Sequence, residues 1–183
     1  MIETAHIIET PHLKLREMGP ALHQYLFKNL NREELKVFFG HDTEAAIDKE
    51  IQMYEEKLTA FNKSFCLFHL IEKSSNQTIG WCGYHHIATR HNRGEIGYVI
   101  NQQKNWGKGY MKEALYEVLK YGFETLKLHR IEALTAKNNF VSQKLLIQRG
   151  FSYEGLLAEH YYINGVYEDS LMFSLLERNL IHP

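Results

Sequence analysis

The sequence predicts a single α/β (α+β) domain over residues 1–183, a mixed, mostly antiparallel sheet of about seven strands with helices on both faces. Three observations predict it. Short runs rich in aromatic and β-branched residues alternate at period two, as half-buried strands do. Longer stretches place apolar residues at helical spacing, as helices lying on a sheet do. No repeat, low-complexity tract or Pro/Gly/Ser linker divides the chain, and 183 residues suffice to bury one substantial core.

The elements follow in order. After Pro11, "HLKLREM" alternates apolar and charged residues and reads as the first strand. From Pro20 to about Leu30, and from Thr43 to about Ala60, helical spacing predicts two helices, the second capped by Asp42 or Thr43. "SFCLFHLIEKSSNQTIGWCGYHHI" reads as a hairpin turning at "SSNQ", and "GEIGYVI" as the next strand. Tyr110, Met111, Ala114, Leu115, Val118, Leu119, Gly122, Phe123 and Leu126 then form one wide apolar stripe, a long helix lying on the sheet. "HRIEALTA" is a strand, and "NNFVSQKLLIQR" a helix ended by Gly150. "FSYEGLLAEHYYINGVYEDSLMFSLL" is a final hairpin turning at Asn164-Gly165.

A formal net charge of -1 with both signs interspersed argues against nucleic-acid or polybasic membrane binding. Cys66 and Cys82 sit singly in apolar runs, so they read as reduced core thiols rather than a disulfide framework. The N-terminus lacks a basic start followed by an apolar run, and no window approaches a membrane span, so a cytoplasmic protein is expected.

The chemistry concentrates in "NQQKNWGKGYMKEAL". Gly107 and Gly109 can adopt backbone angles closed to other residues, and they feed a helix mouth whose first amides lack intrahelical partners. Such a mouth binds anions, most often phosphate, and Lys104 and Lys108 add charge. A plain strand-to-helix turn with solvated lysines reads equally well from this stretch alone. A P-loop would need Ser or Thr after its lysine, where Gly109 stands. A dinucleotide fold would place G-x-G-x-x-G after its first strand, and this loop comes late, after a hairpin.

K-x-x-G-x-G at Lys104, Gly107 and Gly109 resembles the pyrophosphate loop, Q/R-x-x-G-x-G/A, of the GNAT acyl-CoA N-acyltransferases, with lysine at the first position. "TPHLKLRE", "GEIGYVI", "GKGYMKEAL", "HRIEALTAKNNFVSQKLLIQRGFSYEG" and "YINGVYEDSLMFSLL" are similar, in order, to the Rim-type branch that acetylates protein N-termini, including those of ribosomal proteins. The resemblance implies a sheet with a splayed central strand pair and acetyl-CoA in the gap. Val99 and Ile100 would offer backbone groups to the pantetheine and an N–H to the thioester oxygen. Amides from Lys104 through Gly107, Lys108 and Gly109 to Tyr110 would hold the pyrophosphate, and Asn139 and Ser142 would line the cofactor's other side. It implies direct transfer in a ternary complex. Glu95 matches the glutamate that often opens the "GY" strand and would deprotonate the amine through water; capping the strand or binding substrate charge is the alternative. The tyrosine acid that many members carry is replaced by Leu146, and Ser142, after Asn139, matches the serine of the branch; a hydroxyl bonded to its own backbone is the alternative. The same loop would also serve a non-catalytic acyl-CoA-binding module.

Neighbouring strand residues face opposite sides of a sheet, so His85 and His86, with His91 nearby, argue against a metal site, and none is expected. His85, Tyr161 and Tyr162 are substrate-side candidates, with packing the first role of the tyrosines, and Trp81 and Trp106 read as packing residues. The acceptor would be a peptide N-terminus or a small amine such as an amino acid, polyamine or antibiotic. The "YYINGVY" hairpin could serve a homodimer.

Overall fold

The computed structural model describes residues 6–55 and 65–183. Its strands are β1 (Ile7–Glu9), β2 (Leu13–Met18), β3 (Cys66–Glu72), β4 (Gln77–Ala88), β5 (Arg93–Ile100), β6 (Arg130–Ala136), β7 (Ser152–Ile163) and β8 (Val166–Leu176). Its helices are α1 (Pro20–Asn29), α2 (Arg32–Phe39), α3 (Glu44–Glu55), α4 (Tyr110–Glu124) and α5 (Phe140–Gln148). The strands form one sheet in the order β1-β2-β3-β4-β5-β6-β8-β7. All pairs are antiparallel except β5 with β6.

That parallel pair is short. β5 and β6 meet only at Arg93↔Arg130, Gly94↔Ile131 and Glu95↔Glu132. Beyond Glu95, β5 keeps its register with β4 as far as Ile100, while β6 pairs along its length with β8. The two strands therefore diverge, and a slot opens between Ile96–Ile100 and the second half of β6. This is the splayed central pair.

The two faces of the sheet carry separate cores, because adjacent strand residues point to opposite sides. On one side Phe68, Leu70, Tyr84, Ile96 and Ile131 pack with Leu115, Val118 and Leu119 of α4 and Leu146 of α5. On the other, Met18 and Leu67 pack with Leu26, Leu35, Phe39 and Ile47 of α1, α2 and α3. The fully buried Tyr84 donates its hydroxyl to the Val118 carbonyl at 2.8 Å, pinning α4 to β4. Cys66 and Cys82 are free and buried; burial pushes the Cys66 thiol up to about 12, with the Glu17 carboxylate adding to the effect.

Two details correct the sequence reading. The sheet has eight strands rather than about seven, because "IIE" forms a three-residue edge strand on β2. Among the described residues, three helices rather than two precede β3. The extra one, α2, starts at a capping box: Asn31 Oδ1 accepts from the Glu34 N–H at 3.0 Å, and Glu34 accepts from the Asn31 N–H at 2.8 Å. The next helix starts as expected, with Thr43 Oγ1 accepting from the Ala46 N–H; its predicted end near Ala60 lies outside the described residues. The last hairpin turns where predicted, with Asn164 and Gly165 both at positive φ between Ile163 and Val166.

Candidate active site

The helix mouth is open. Gly107 and Gly109 have φ of +74° and +83°, the left-handed region that favours glycine, and a Cβ at either would meet no heavy atom within 4 Å. Gly109 is the N-cap of α4 and has no side chain to cap it. The first intrahelical bond runs from the Glu113 N–H to the Gly109 carbonyl, so the amides of Tyr110, Met111 and Lys112 precede the ladder and point outward. Glu113, an acid in this first turn, turns its carboxylate to Thr10 and His12 instead. Lys104 and Lys108 are exposed. Lys108 Nζ reaches Asn105 Oδ1 at 3.4 Å and lies 5.7 Å from the Tyr110 ring centre. Asn105 is buried with no partner for its Nδ2. Two glycines, unclaimed amides, two cations and a spare amide donor fit a pyrophosphate.

The slot leads from this mouth into the sheet. The Asn101 N–H donates to the Ile79 carbonyl at 2.9 Å, in register with Trp81↔Val99. Alternation along an antiparallel pair then turns the backbone groups of Val99 toward β4 and those of Tyr98 and Ile100 toward the slot. Trp106 marks that side: its indole N–H donates to the Ile100 carbonyl at 3.1 Å. Trp106 is 59% exposed, and this hydrogen bond ties it to the end of β5.

On the α4 and α5 side of the slot, Asn139 caps α5 by accepting from the Ser142 N–H at 3.1 Å. The Ser142 hydroxyl does not bond its own backbone; it lies 2.6 Å from the Tyr98 hydroxyl. Burial pushes the Tyr98 phenol up to about 12, against the lowering effect of its bond to Ser142, so it stays protonated at neutral pH. Sequence reasoning missed Tyr98. Its signal was its place in "GEIGYVI", three residues after Glu95, but the partner comes from a helix 44 residues away.

On the opposite face stands Glu95, paired across the strands with His85. The β4–β5 register shifts between His85 and Ala88, and His86 sits at φ +51°. This bulge brings His86 round to the side of His85, overturning the expectation that strand alternation keeps the two apart. His86 Nδ1 is 3.1 Å from Glu95 Oε2, His85 Nδ1 is 3.8 Å from the same oxygen, and the two imidazole nitrogens are 3.2 Å apart. Burial pushes the His85 imidazole down, with Glu95 acting in the opposite sense. Tyr161 on β7 is 43% exposed, and partial burial together with the Glu95 charge raises its phenol. Tyr162 is 66% exposed and packs on Tyr167. His91 stands apart from the cluster. A cavity of about 680 Å³ lies elsewhere, between α2 and β4, and includes none of these residues.

Residues 12–152 match the family model described as the acetyltransferase (GNAT) domain. The chain belongs to the GNAT acetyltransferase family. This GNAT chain is 30% identical over 172 residues, 93% of it and 97% of the relative, to the uncharacterized N-acetyltransferase YoaA of Bacillus subtilis (strain 168). Among solved structures it is similar to spermidine N-acetyltransferase from Vibrio cholerae in complex with CoA and spermine. There the identity is 25% and the TM-score 0.66, covering 92% of this chain and 97% of that one. The ribosomal-protein-S5-alanine acetyltransferase from Vibrio fischeri shares the fold at 23% identity and TM-score 0.66, covering 97% and 100%. Among the described residues no helix is long and apolar enough to cross a membrane.

Proposed function

We propose that the chain moves an acetyl group from acetyl-CoA directly to a primary amine in a ternary complex. The observation that carries this reading is the slot between β5 and β6: it opens at the anion-binding mouth of α4 and lies between Glu95 on one face and the Tyr98–Ser142 pair on the other. Gly107, Gly109 and the amides from Lys104 to Tyr110 hold the pyrophosphate, with Lys104 and Lys108 adding charge. Of Val99 and Ile100, Ile100 has its N–H turned into the slot, where it stabilises negative charge developing on the thioester oxygen. The thioester supplies an activated acyl group and a thiolate leaving group.

An ammonium ion cannot attack, so Glu95 takes the acceptor's proton through water; its face of the sheet is the one where α1 to α3 and the β7–β8 hairpin shape the acceptor pocket. The Ser142 hydroxyl, in contact with a phenol that burial keeps protonated, gives a proton to the departing sulfur. Asn139 holds the start of α5 so that Ser142 faces the slot. His85 and Tyr161 stand beside Glu95 on the acceptor side, and the exposed Tyr162 is at the rim. The acceptor is a protein N-terminus, as the motif resemblance indicates, and the site is cytoplasmic. A polyamine is the second reading, favoured by the similar structure solved with CoA and spermine.

The test measures thiol release from acetyl-CoA against N-terminal peptides, spermidine, spermine and free amino acids, with mass spectrometry of the products. Acetylation of one class, lost in Glu95→Gln with acetyl-CoA affinity retained, supports the reading. No thiol release with any amine, or full activity in Glu95→Gln, overturns it.

A further inference from the structure

We propose that His85, His86 and Glu95 form a zinc-class metal site, and that a bound ion blocks acetyl transfer. The three ligand atoms are His85 Nδ1, His86 Nδ1 and Glu95 Oε2, separated by 3.2, 3.8 and 3.1 Å. A point equidistant from all three lies about 2.0 Å from each, the length of zinc–imidazole and zinc–carboxylate bonds. Hydrogen bonding alone does not require such a triangle, because two Nδ1 atoms and one carboxylate oxygen leave one close pair, His85 with His86, in which only one nitrogen can donate to the other. Two imidazoles and one carboxylate suit zinc and its first-row neighbours; magnesium and calcium take all-oxygen sets.

The fold builds the site through a local irregularity. Without the bulge after His85, His86 would point to the α4 side; with it, at φ +51°, both imidazoles converge on the carboxylate opposite. His85 and Glu95 have side chains 18% and 16% exposed and are held by the sheet, while His86 is 58% exposed, leaving an entry path and an outward coordination position for water.

The inhibitory half rests on the reading of Glu95 as the proton acceptor. An ion on Oε2 occupies the lone pair that would take the proton, and its positive charge opposes the approach of an ammonium substrate. The binding half does not rest on that reading.

Chelator-stripped full-length protein is titrated with Zn²⁺ against a chromophoric competing chelator, and separately with Co²⁺, whose visible spectrum reports coordination by nitrogen and oxygen ligands. One equivalent is expected per chain, with affinity falling by at least about tenfold in His85→Ala, Glu95→Gln and His86→Gly. His86→Gly removes a ligand while suiting the positive φ, so it keeps the backbone even if other variants fail to fold. Zinc should also suppress acetylation of the best amine acceptor, reversibly with chelator. No zinc binding, or equal binding in all three variants, overturns the site. Binding that the variants weaken, without any effect on acetyl transfer, overturns the inhibition. If no amine is acetylated at all, the function reading fails and the binding titration still decides the metal site.

Discussion

Replacing Gly109 by alanine should separate the cost of a backbone conformation from the loss of a ligand contact. In the free protein the added methyl meets nothing within 4 Å, so no clash contributes. The penalty to folding is that of an L-residue at φ +83°, about 1–2 kcal/mol. For a chain of this size that lowers Tm by roughly 2–8 °C. Binding should suffer more. The methyl enters open space at the N-cap of α4, next to the Tyr110, Met111 and Lys112 amides, where the pyrophosphate would sit. Hydrogen bonds to a charged group contribute about 1.5–3 kcal/mol each, so displacing one costs about 1.5–3 kcal/mol. This corresponds to a rise in the acetyl-CoA Kd of roughly 10-fold to 150-fold. Calorimetric titration of wild type, Gly109→Ala and Lys108→Ala measures it. Lys108 is exposed and already leans on Asn105, so its loss should cost less than about tenfold, as an exposed charge does. Gly109→Ala with a lowered Tm and an unchanged Kd would refute the amide cradle, and so would a larger binding loss in Lys108→Ala than in Gly109→Ala.

Tyr98→Phe keeps the ring in the core and removes the hydroxyl 2.6 Å from Ser142; kcat should fall at least about tenfold with the acetyl-CoA Kd unchanged, since acid catalysis contributes about 10²–10⁴-fold. Gly122→Ala should destabilise the fold by about 1–3 kcal/mol although alanine favours helices, because its methyl would stand 2.1 Å from the buried Tyr84 hydroxyl; a denaturant midpoint at or above wild type would contradict this. Fully buried His69, beside Arg16, has its imidazole pushed from 6.5 down to about 3, chiefly by burial. Below 6.5 the unfolded chain binds a proton that the folded one refuses, so stability should fall with pH by up to about 1.4 kcal/mol per unit until about 3. Urea midpoints between pH 7 and 5 check it, and His69→Asn should flatten the slope.

What the sequence disclosed depended on how local the signal was. The apolar stripe of α4, the Asn164-Gly165 turn and the order of strands are written in near neighbours, and each stands where read. The helix over Arg32–Phe39 was equally local, with Asn31 and Glu34 at capping-box spacing before an apolar run, and attention to that spacing would have found it. The edge strand Ile7–Glu9 has only three residues, too few for a period. The two groups that define the site across the sheet were out of reach for another reason. Glu95 meets His86 only because a bulge breaks alternation, and Tyr98 meets Ser142 only once α5 lies on β5. Neither geometry follows from spacing along one segment.

The short contact between β5 and β6 also makes a mechanical seam. Five strands stand on one side of it and three on the other, and three residue pairs join the ladders. Within the sheet, thermal opening or an applied load needs to break few rungs there, so the halves can hinge about Arg93–Glu95 while each stays internally paired. A molecule lying in the slot with hydrogen bonds to the Tyr98 and Ile100 backbone would act as an added rung. Amide exchange at those two residues, fast in the free chain and slowed by a slot-bound ligand, would report the stiffening directly.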